Sequence, residues 1–414
     1  MTKKAVVSAT SNRKRLLVLT STFPRWEGDR EPPFVFELSR RLAREFDVAV
    51  LAPHARGASR HEEMAGLEVF RFPYFFEAGQ TLAYNGGILA NLKARRRNYL
   101  LVPFFALGQL IQLIRIIRTM QVDAIHAHWI IPQGLIALVA RVFARRGSRP
   151  AIICTSHGGD LFGLSGKLFG AVKKSVIARV ERLTVVSQAM RSFAQTLVPR
   201  SDIEVIPMGV DLAGRFTAAP EVVRNSDQIL FVGRLVEKKG IRYLIEAMPR
   251  VVASYPAMKL DIAGEGPDKA RLQQLVQSLG LAGAVNFLGP VDQDALREQY
   301  RRATVFVAPS VIAQGGDQEG LGLVFVEALG CECPVIASDL PAIGDVIKDS
   351  ETGLICRQND SGDLADKILY LLERPELRRS LGENGRRYVA GRFDWEIIAQ
   401  RYADLIRESI GSAQ

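Results

Sequence analysis

Two carboxylates, Glu319 and Glu327, stand eight positions apart in the run Asp317-Gln318-Glu319-Gly320-Leu321-Gly322-Leu323-Val324-Phe325-Val326-Glu327. Gly315, Gly316, Gly320 and Gly322 flank the first of them, so backbone amides there can come close to a ligand. The apolar stretch that follows reads as an amphipathic helix opening near Leu321, with unpaired N–H donors and the positive end of its dipole turned toward any bound anion. With Glu319 ahead of that helix and Glu327 on its second turn, a rise of about 1.5 Å per residue separates the carboxylates by roughly 10–12 Å. A hydrolase pair needs about 5–9.5 Å. Each carboxylate is therefore expected to grip a different part of one long ligand.

Cations recur where apolar runs end. Gln228-Ile229-Leu230-Phe231-Val232 feeds Gly233-Arg234-Leu235-Val236-Glu237-Lys238-Lys239-Gly240, where Arg234 can fork onto a diphosphate and Lys239 can add a second point charge. Leu260-Asp261-Ile262-Ala263-Gly264-Glu265-Gly266-Pro267 and Val285-Asn286-Phe287-Leu288-Gly289-Pro290 repeat the strand-to-glycine pattern. In the first half, Ala151 to Thr155 runs out into Ser156-His157-Gly158-Gly159-Asp160. Ligands of open α/β sheets bind outside the carboxyl ends of strands, which makes His157 a candidate. Solvated surface charge is the plain alternative for any one of these residues; the convergence of several loops favours a site.

Positioning these loops calls for alternating strands and helices. Lys14 to Thr20 reads as a buried parallel strand, followed by a loop with a single glycine, Gly28, and a helix from Phe34 to Phe46. A dinucleotide fold would place a Gly-rich fingerprint at this turn, which argues against nicotinamide or flavin. Strands follow near 47–52, 67–72 and Val122 to Trp129, with a helix from Pro132 to Arg146. His126 and His128 alternate onto one face, either as core residues or, less simply, as metal ligands. Asp292-Gln293-Asp294 opens a helix, where aspartate caps and first-turn carboxylates are the ordinary reading; a metal is the alternative. The irregular stretch from Met208 to about Asp227 marks a hinge.

The segment 88–120 joins Lys93, Arg95, Arg96 and Arg97 to the apolar run Tyr99 to Ile117. Gln109, Gln112, Arg115 and Arg118 recur at a spacing of three and read as a polar stripe. A spanning helix needs about 20 mostly uncharged residues. The segment is thus either an interfacial helix beside a basic cluster or a helix packed on the sheet.

The 414 residues suffice for two domains with separate cores. Residues 1–207 hold 30 Lys and Arg against 15 Asp and Glu, a net +15, and the remainder 24 against 29, a net −5. A basic half fits a polyanionic partner such as an anionic membrane surface, and no zinc-finger or aromatic-plus-basic RNA motif supports nucleic acid. Cys154, Cys331, Cys333 and Cys356 lack metal-ligand or paired-disulfide spacing, and the amino-terminal run has no cleavage site for secretion. The expected location is cytoplasmic, with room for peripheral attachment to the inner membrane.

In this order, Gly233-Arg234-Leu235…Lys239-Gly240, Gly264-Glu265-Gly266-Pro267 and Glu319 with Glu327 (E-x7-E) resemble the retaining nucleotide-sugar glycosyltransferases of family 4. The resemblance implies the GT-B fold: α/β, with two Rossmann-like doubly wound parallel-sheet domains facing an interdomain cleft. It implies an acceptor-binding domain at 1–212, joined by 394–414, and a donor-binding domain at 213–393. Arg234 and Lys239 would neutralise the departing diphosphate with the amides of Gly320, Leu321, Gly322, Leu323 and Val324, and Glu327 would hold the ribose. Glu319 and His157 would address the transferred sugar, and Gly233, Gly264, Leu288 and Gly289 would line the donor. Gly28 and Asp160 would lie on the acceptor side; many members carry Gly-Gly where this loop has one glycine. The implied reaction needs no metal or cofactor: a UDP- or GDP-linked sugar passes to a saccharide or lipid-linked acceptor in surface polysaccharide or glycolipid synthesis. A nucleotide-sugar 2-epimerase shares the architecture, a phosphorylase would need a pyridoxal-binding lysine, and a non-catalytic polyanion-binding scaffold would use the basic half alone.

Overall fold

The computed structural model of the protein describes residues 13–29, 31, 33–145, 149–164 and 166–413. The amino-terminal stretch 1–12, Arg30 and Pro32 of the first loop, and Arg146 at the end of one expected helix lie outside the described residues. Short runs of Val, Ile, Leu and Ala, buried along nearly their whole length, become strands covered by helices on both faces. Eight strands form the first sheet: β1 (Arg15–Leu19), β2 (Asp47–Pro53), β3 (His61–Met64), β4 (Leu67–Phe72), β5 (Ala124–His128), β6 (Ala151–Ser156), β7 (Arg182–Val185) and β8 (Ile203–Val205). Their order is β3-β4-β2-β1-β5-β6-β7-β8, with β1 parallel to both β2 and β5.

The second sheet holds β9 (Gln228–Val232), β10 (Lys259–Ala263), β11 (Val285–Gly289), β12 (Val305–Ala308), β13 (Val335–Ser338) and β14 (Leu354–Cys356), ordered β11-β10-β9-β12-β13-β14. All of its pairs are parallel. Both sheets are therefore Rossmann-like, and each reverses its winding once, between β1 and β5 in the first and between β9 and β12 in the second. Two compact units result. One comprises the chain up to Thr155, Arg179–Leu183 and the segment from Tyr402; the other comprises Ser156–Ala178 and Thr184–Arg401. The last helix, Trp395–Ala413, begins in the second unit and ends in the first.

Three elements depart from the sequence reading. β3 pairs antiparallel with the edge of β4, and its residues His61-Glu62-Glu63-Met64 carry no apolar face by which it could be recognised. The helix expected from Pro132 to Arg146 opens as a wide helical turn, Ile130–Gly134, in which Ile131 is extended (φ −128°, ψ 127°) ahead of the proline ring, and continues as Leu135–Arg141, ending short of the expected boundary. The expected polar stripe does not exist as one face. In the helix Leu101–Thr119, Gln109 is fully buried while Arg115 and Arg118 are exposed. Steps of three residues slip by about 60° each around a helix, so a run of four such positions crosses from one side to the other.

The loops that follow β9 and β12 touch through Gly240. Its φ is +65°, and a Cβ there would lie 1.8 Å from the carbonyl oxygen of Pro309. A Gly240→Ala substitution is expected to cost more than about 2 kcal/mol, combining left-handed backbone strain with a backbone clash. Urea unfolding of the two proteins measures it.

Candidate active site

The switch between β9 and β12 opens a crevice at the carboxyl ends of those strands, where ligands of such sheets bind. Several contacts bind the two following loops together there. The amide of Val311 donates to the carbonyl of Lys238 at 2.8 Å, and the Lys238 ammonium reaches Asp317 at 3.1 Å and the carbonyl of Gln318 at 3.3 Å. Beside this pair, Lys239 forms a direct ion pair with Glu319. Both side chains are mostly covered, at 14% and 16% exposure, so water screens their attraction only in part. Burial by itself would raise the pKa of the Glu319 carboxyl. The charges of Lys239 and Lys238, the hydrogen bond from Lys239 and the amide of Gly320 outweigh that cost and hold it below the ordinary value.

The glycines of the neighbouring strand ends sit shoulder to shoulder. Gly233 donates to the carbonyl of Ala263 at 3.0 Å, and Gly264 to that of Gly289 at 2.8 Å. Gly264 has φ +141°, and a Cβ on it would fall 1.9 Å from the oxygen of Gly233, so only glycine permits the approach. Arg234 is exposed on the same loop as Lys239, and Leu288 is exposed at the end of β11. Expected from separate motifs, these residues occupy one row of strand ends.

Glu327 is placed by a helix that starts two residues later than the sequence suggested, at Leu323, with Gly322 in the left-handed region at its N-cap. The amides that open this helix belong to Leu323 and Val324, which have no intrahelical acceptor; Gly320 and Leu321 are buried in the turn before it. Behind Glu327, the rings of Tyr300, Phe306 and Phe325 pack edge to face at 5.5 and 5.7 Å between centroids. The buried Tyr300 hydroxyl donates to Glu327 at 3.1 Å. Burial pushes the Glu327 carboxyl up to about 7, against the lowering effects of the Tyr300 hydrogen bond and the charges of Lys239 and Arg215.

His157 lies half-buried beyond the end of β6, and its carbonyl faces the Glu319 loop: a Cβ on Gly320 would meet it at 3.0 Å. Asp160, expected to face an acceptor, is instead buried and accepts a hydrogen bond from Ser156 at 2.8 Å. Its neighbour in charge is Lys173, whose own pKa is lowered by burial and partly restored by Asp160. Gly28 belongs to the other unit, in the loop after β1, with φ +77° and open space around it. His126 and His128 are fully buried with ring centroids 4.3 Å apart, and burial lowers the His126 pKa to about 3. Asp292 caps a helix by accepting from the amides of Asp294 and Ala295. Among the described residues no three His, Cys, Asp or Glu side chains cluster as a metal site. Sequence reasoning missed Lys238, though it stood in the quoted run beside Lys239, and Tyr300, which no local pattern ties to a carboxylate 27 positions away.

A parallel sheet with cations, glycines and a helix opening at its switch point has the build of a ligand-binding α/β protein, with positive charge where an anion would sit. Residues 33–213 match the family model described as Glycosyltransferase Family 4, and residues 217–388 match that described as Glycosyl transferases group 1. The chain is 30% identical over 307 residues to a GDP-mannose-dependent monoacylated alpha-(1-6)-phosphatidylinositol monomannoside mannosyltransferase of Corynebacterium glutamicum, covering 70% of this chain and 78% of the relative. It is 27% identical over 410 residues to the GDP-mannose-dependent alpha-(1-6)-phosphatidylinositol monomannoside mannosyltransferase of Mycobacterium tuberculosis, covering 95% and 98%. Among solved structures, sucrose-phosphate synthase from Thermosynechococcus elongatus superposes with a TM-score of 0.77 at 23% identity, over 97% of this chain and all of that one. The protein belongs to the GT-B glycosyltransferases of these two family models, enzymes that transfer sugar from a nucleotide donor.

The raised pKa of Glu327 has a stability consequence of definite sign. Protonation favours the folded state, so its contribution is full below the unfolded value near 4.5 and is lost as pH rises through about 7. Urea unfolding at pH 5 and pH 8 should show Glu327→Gln gaining on the wild type by about 2 kcal/mol at the higher pH.

Proposed function

We propose that the protein is a retaining, metal-independent transferase that moves a sugar from a nucleoside diphosphate to a saccharide or lipid-linked acceptor in surface polysaccharide or glycolipid synthesis. The observation that carries this reading is the Lys239–Glu319 ion pair, lying between the Gly233–Arg234 loop and the opening of the helix that bears Glu327. Breaking the glycosidic C–O bond builds negative charge on the diphosphate and positive charge on the sugar. Arg234, Lys239 and the amides of Leu323 and Val324 are fixed charges and dipoles that meet the first of these without rearrangement. Glu319, held ionised, accepts hydrogen bonds from the sugar hydroxyls, and His157 addresses the same sugar. Glu327 receives the ribose hydroxyls, and backbone around Leu288 and Gly289 faces the base. The acceptor hydroxyl attacks from the side the diphosphate leaves and hands its proton to the departing phosphate oxygen, which preserves the anomeric configuration. GDP-mannose is the first donor to test, since the relatives that align over most of this chain are named for it, and UDP-sugars are the second.

Transfer assays with these donors and a lipid extract as acceptor source test the assignment. Arg234→Ala, Lys239→Ala and Glu319→Ala should each lower kcat/KM by about 100-fold or more, the scale of losing one preorganised group, with circular dichroism unchanged. Near-normal transfer by Arg234→Ala would remove the proposed leaving-group role. Incubation with donor alone should leave the sugar configuration intact; conversion of the donor without an acceptor would indicate an epimerase.

The affinity for an intact nucleotide sugar, whose phosphodiester groups do not titrate near neutrality, should rise with pH through about 7 as Glu327 ionises. Calorimetry on Glu327→Gln should give weaker binding with no such slope.

A further inference from the structure

The helix Leu101–Thr119 has a second face that the transferase reading does not use. Its inner face belongs to the core: Phe105 packs edge to face on Phe72 and Tyr74 at 5.0 and 5.1 Å, and Leu113, Ile116 and Ile117 are buried. Gly108 brings the backbone so near that an added Cβ would lie 2.7 Å from the carbonyl of Pro73. The stretch Arg96–Thr119 is long and apolar enough to cross a membrane by composition. As folded, one side of it is committed to the core, with 33% of the apolar window buried. What it turns outward is apolar nonetheless. Leu100, Phe104, Leu107 and Ile111 follow the helical repeat of three and four residues and are 73%, 51%, 52% and 42% exposed. Phe75 extends the stripe, its ring 5.8 Å from that of Phe104, and beside it stands Phe76, 81% exposed.

The charge around this stripe has one sign. Lys93, Arg95, Arg96 and Arg97 lie at its amino-terminal end and Arg115 and Arg118 at the other, all exposed. No Asp or Glu occurs between Glu77 and Asp123 in the sequence, and among the described residues none of the six cations is paired with a carboxylate. Unmatched apolar area in a soluble protein marks a contact, and six unmatched cations around it specify a partner that is apolar within and anionic at its surface. A second copy of this chain fits poorly, since a two-fold contact through this face would set six cations against six. A nucleic acid offers phosphates but no medium for Leu100, Phe104, Leu107 and Ile111.

We propose that this face is a docking surface for an anionic phospholipid bilayer. The helix lies in the plane of the membrane, Phe76, Phe104 and Leu107 enter the acyl boundary, and the cations engage lipid phosphates. Neither element depends on the transferase reading, because no residue of the nucleotide-sugar site is involved.

Flotation of the full chain with vesicles tests the proposal directly. Binding is expected to vesicles of phosphatidylcholine with about 30% phosphatidylglycerol, to be at least about tenfold weaker on phosphatidylcholine alone, and to fall as salt is raised from about 0.1 to 0.5 M. Changing Lys93, Arg95, Arg96 and Arg97 to Gln should weaken binding to the anionic vesicles about 100-fold or more. The triple change Phe76→Ser, Phe104→Ser and Leu107→Ser should also abolish binding while the protein keeps a cooperative thermal transition lowered by only a few degrees, because these side chains are half-exposed or more. Failure of the wild type to float with either vesicle would overturn the proposal. So would triple-variant binding equal to wild type, or conversion of a dimer to a monomer by the triple change, which would make the face a contact between copies.

Discussion

The second unit is organised around one electrostatic constraint, the pairing of Lys239 with Glu319. The lysine comes from the loop after β9 and the glutamate from the loop after β12, two strands that are neighbours in space and far apart in sequence. Partial burial makes the pair sensitive to what lies beside it: removing either charge leaves the other poorly solvated. A ligand that brings negative charge to this place is met by a lysine already oriented and by a carboxylate already ionised. The second lysine, Lys238, fastens the same two loops through Asp317 and Gln318 and so holds the first pair in register.

The two carboxylates of the motif have opposite environments. Glu319 is surrounded by ammonium groups and stays acidic, whereas Glu327 sits over an aromatic stack and is held near neutrality, with one phenol as its close partner. Divergent pKa values in neighbouring carboxyls mark different tasks. An ionised group suits a transferred sugar that gains positive character; a group poised near 7 suits neutral hydroxyls, which it can accept from when charged. Helix geometry sets the division, since Glu319 precedes the N-cap and Glu327 follows on the second turn, against Tyr300.

The first unit solves a different problem with the helix Leu101–Thr119. One amphipathic pattern ordinarily buries an apolar face and presents a polar one. Here both faces are apolar over the first three turns, and the polar positions that the spacing of three suggested are divided between core and surface, with Gln109 inside and Arg118 outside. The burial of Phe105 against Phe72 and Tyr74 fixes which part of the apolar circumference is spent on folding. The remainder, Leu100, Phe104, Leu107 and Ile111, stays exposed.

By itself the sequence determined the alternation of strands and helices, because buried parallel strands write themselves as unbroken apolar runs, and it determined the cations and glycines at their ends. Arg234, Lys239, Gly264, Glu319 and Glu327 were all legible in that way, and so was the capping role of Asp292. Pairings between distant segments were not. Nothing local links Lys239 to Glu319, Tyr300 to Glu327, or Gly240 to Pro309, and nothing in Asp160 foretells that its carboxyl turns inward to Ser156. Those choices belong to the tertiary structure, because strand order in a doubly wound sheet is set by which faces can be buried together. Whether a given side chain is charged, neutral, exposed or covered then follows from neighbours that chain order does not reveal.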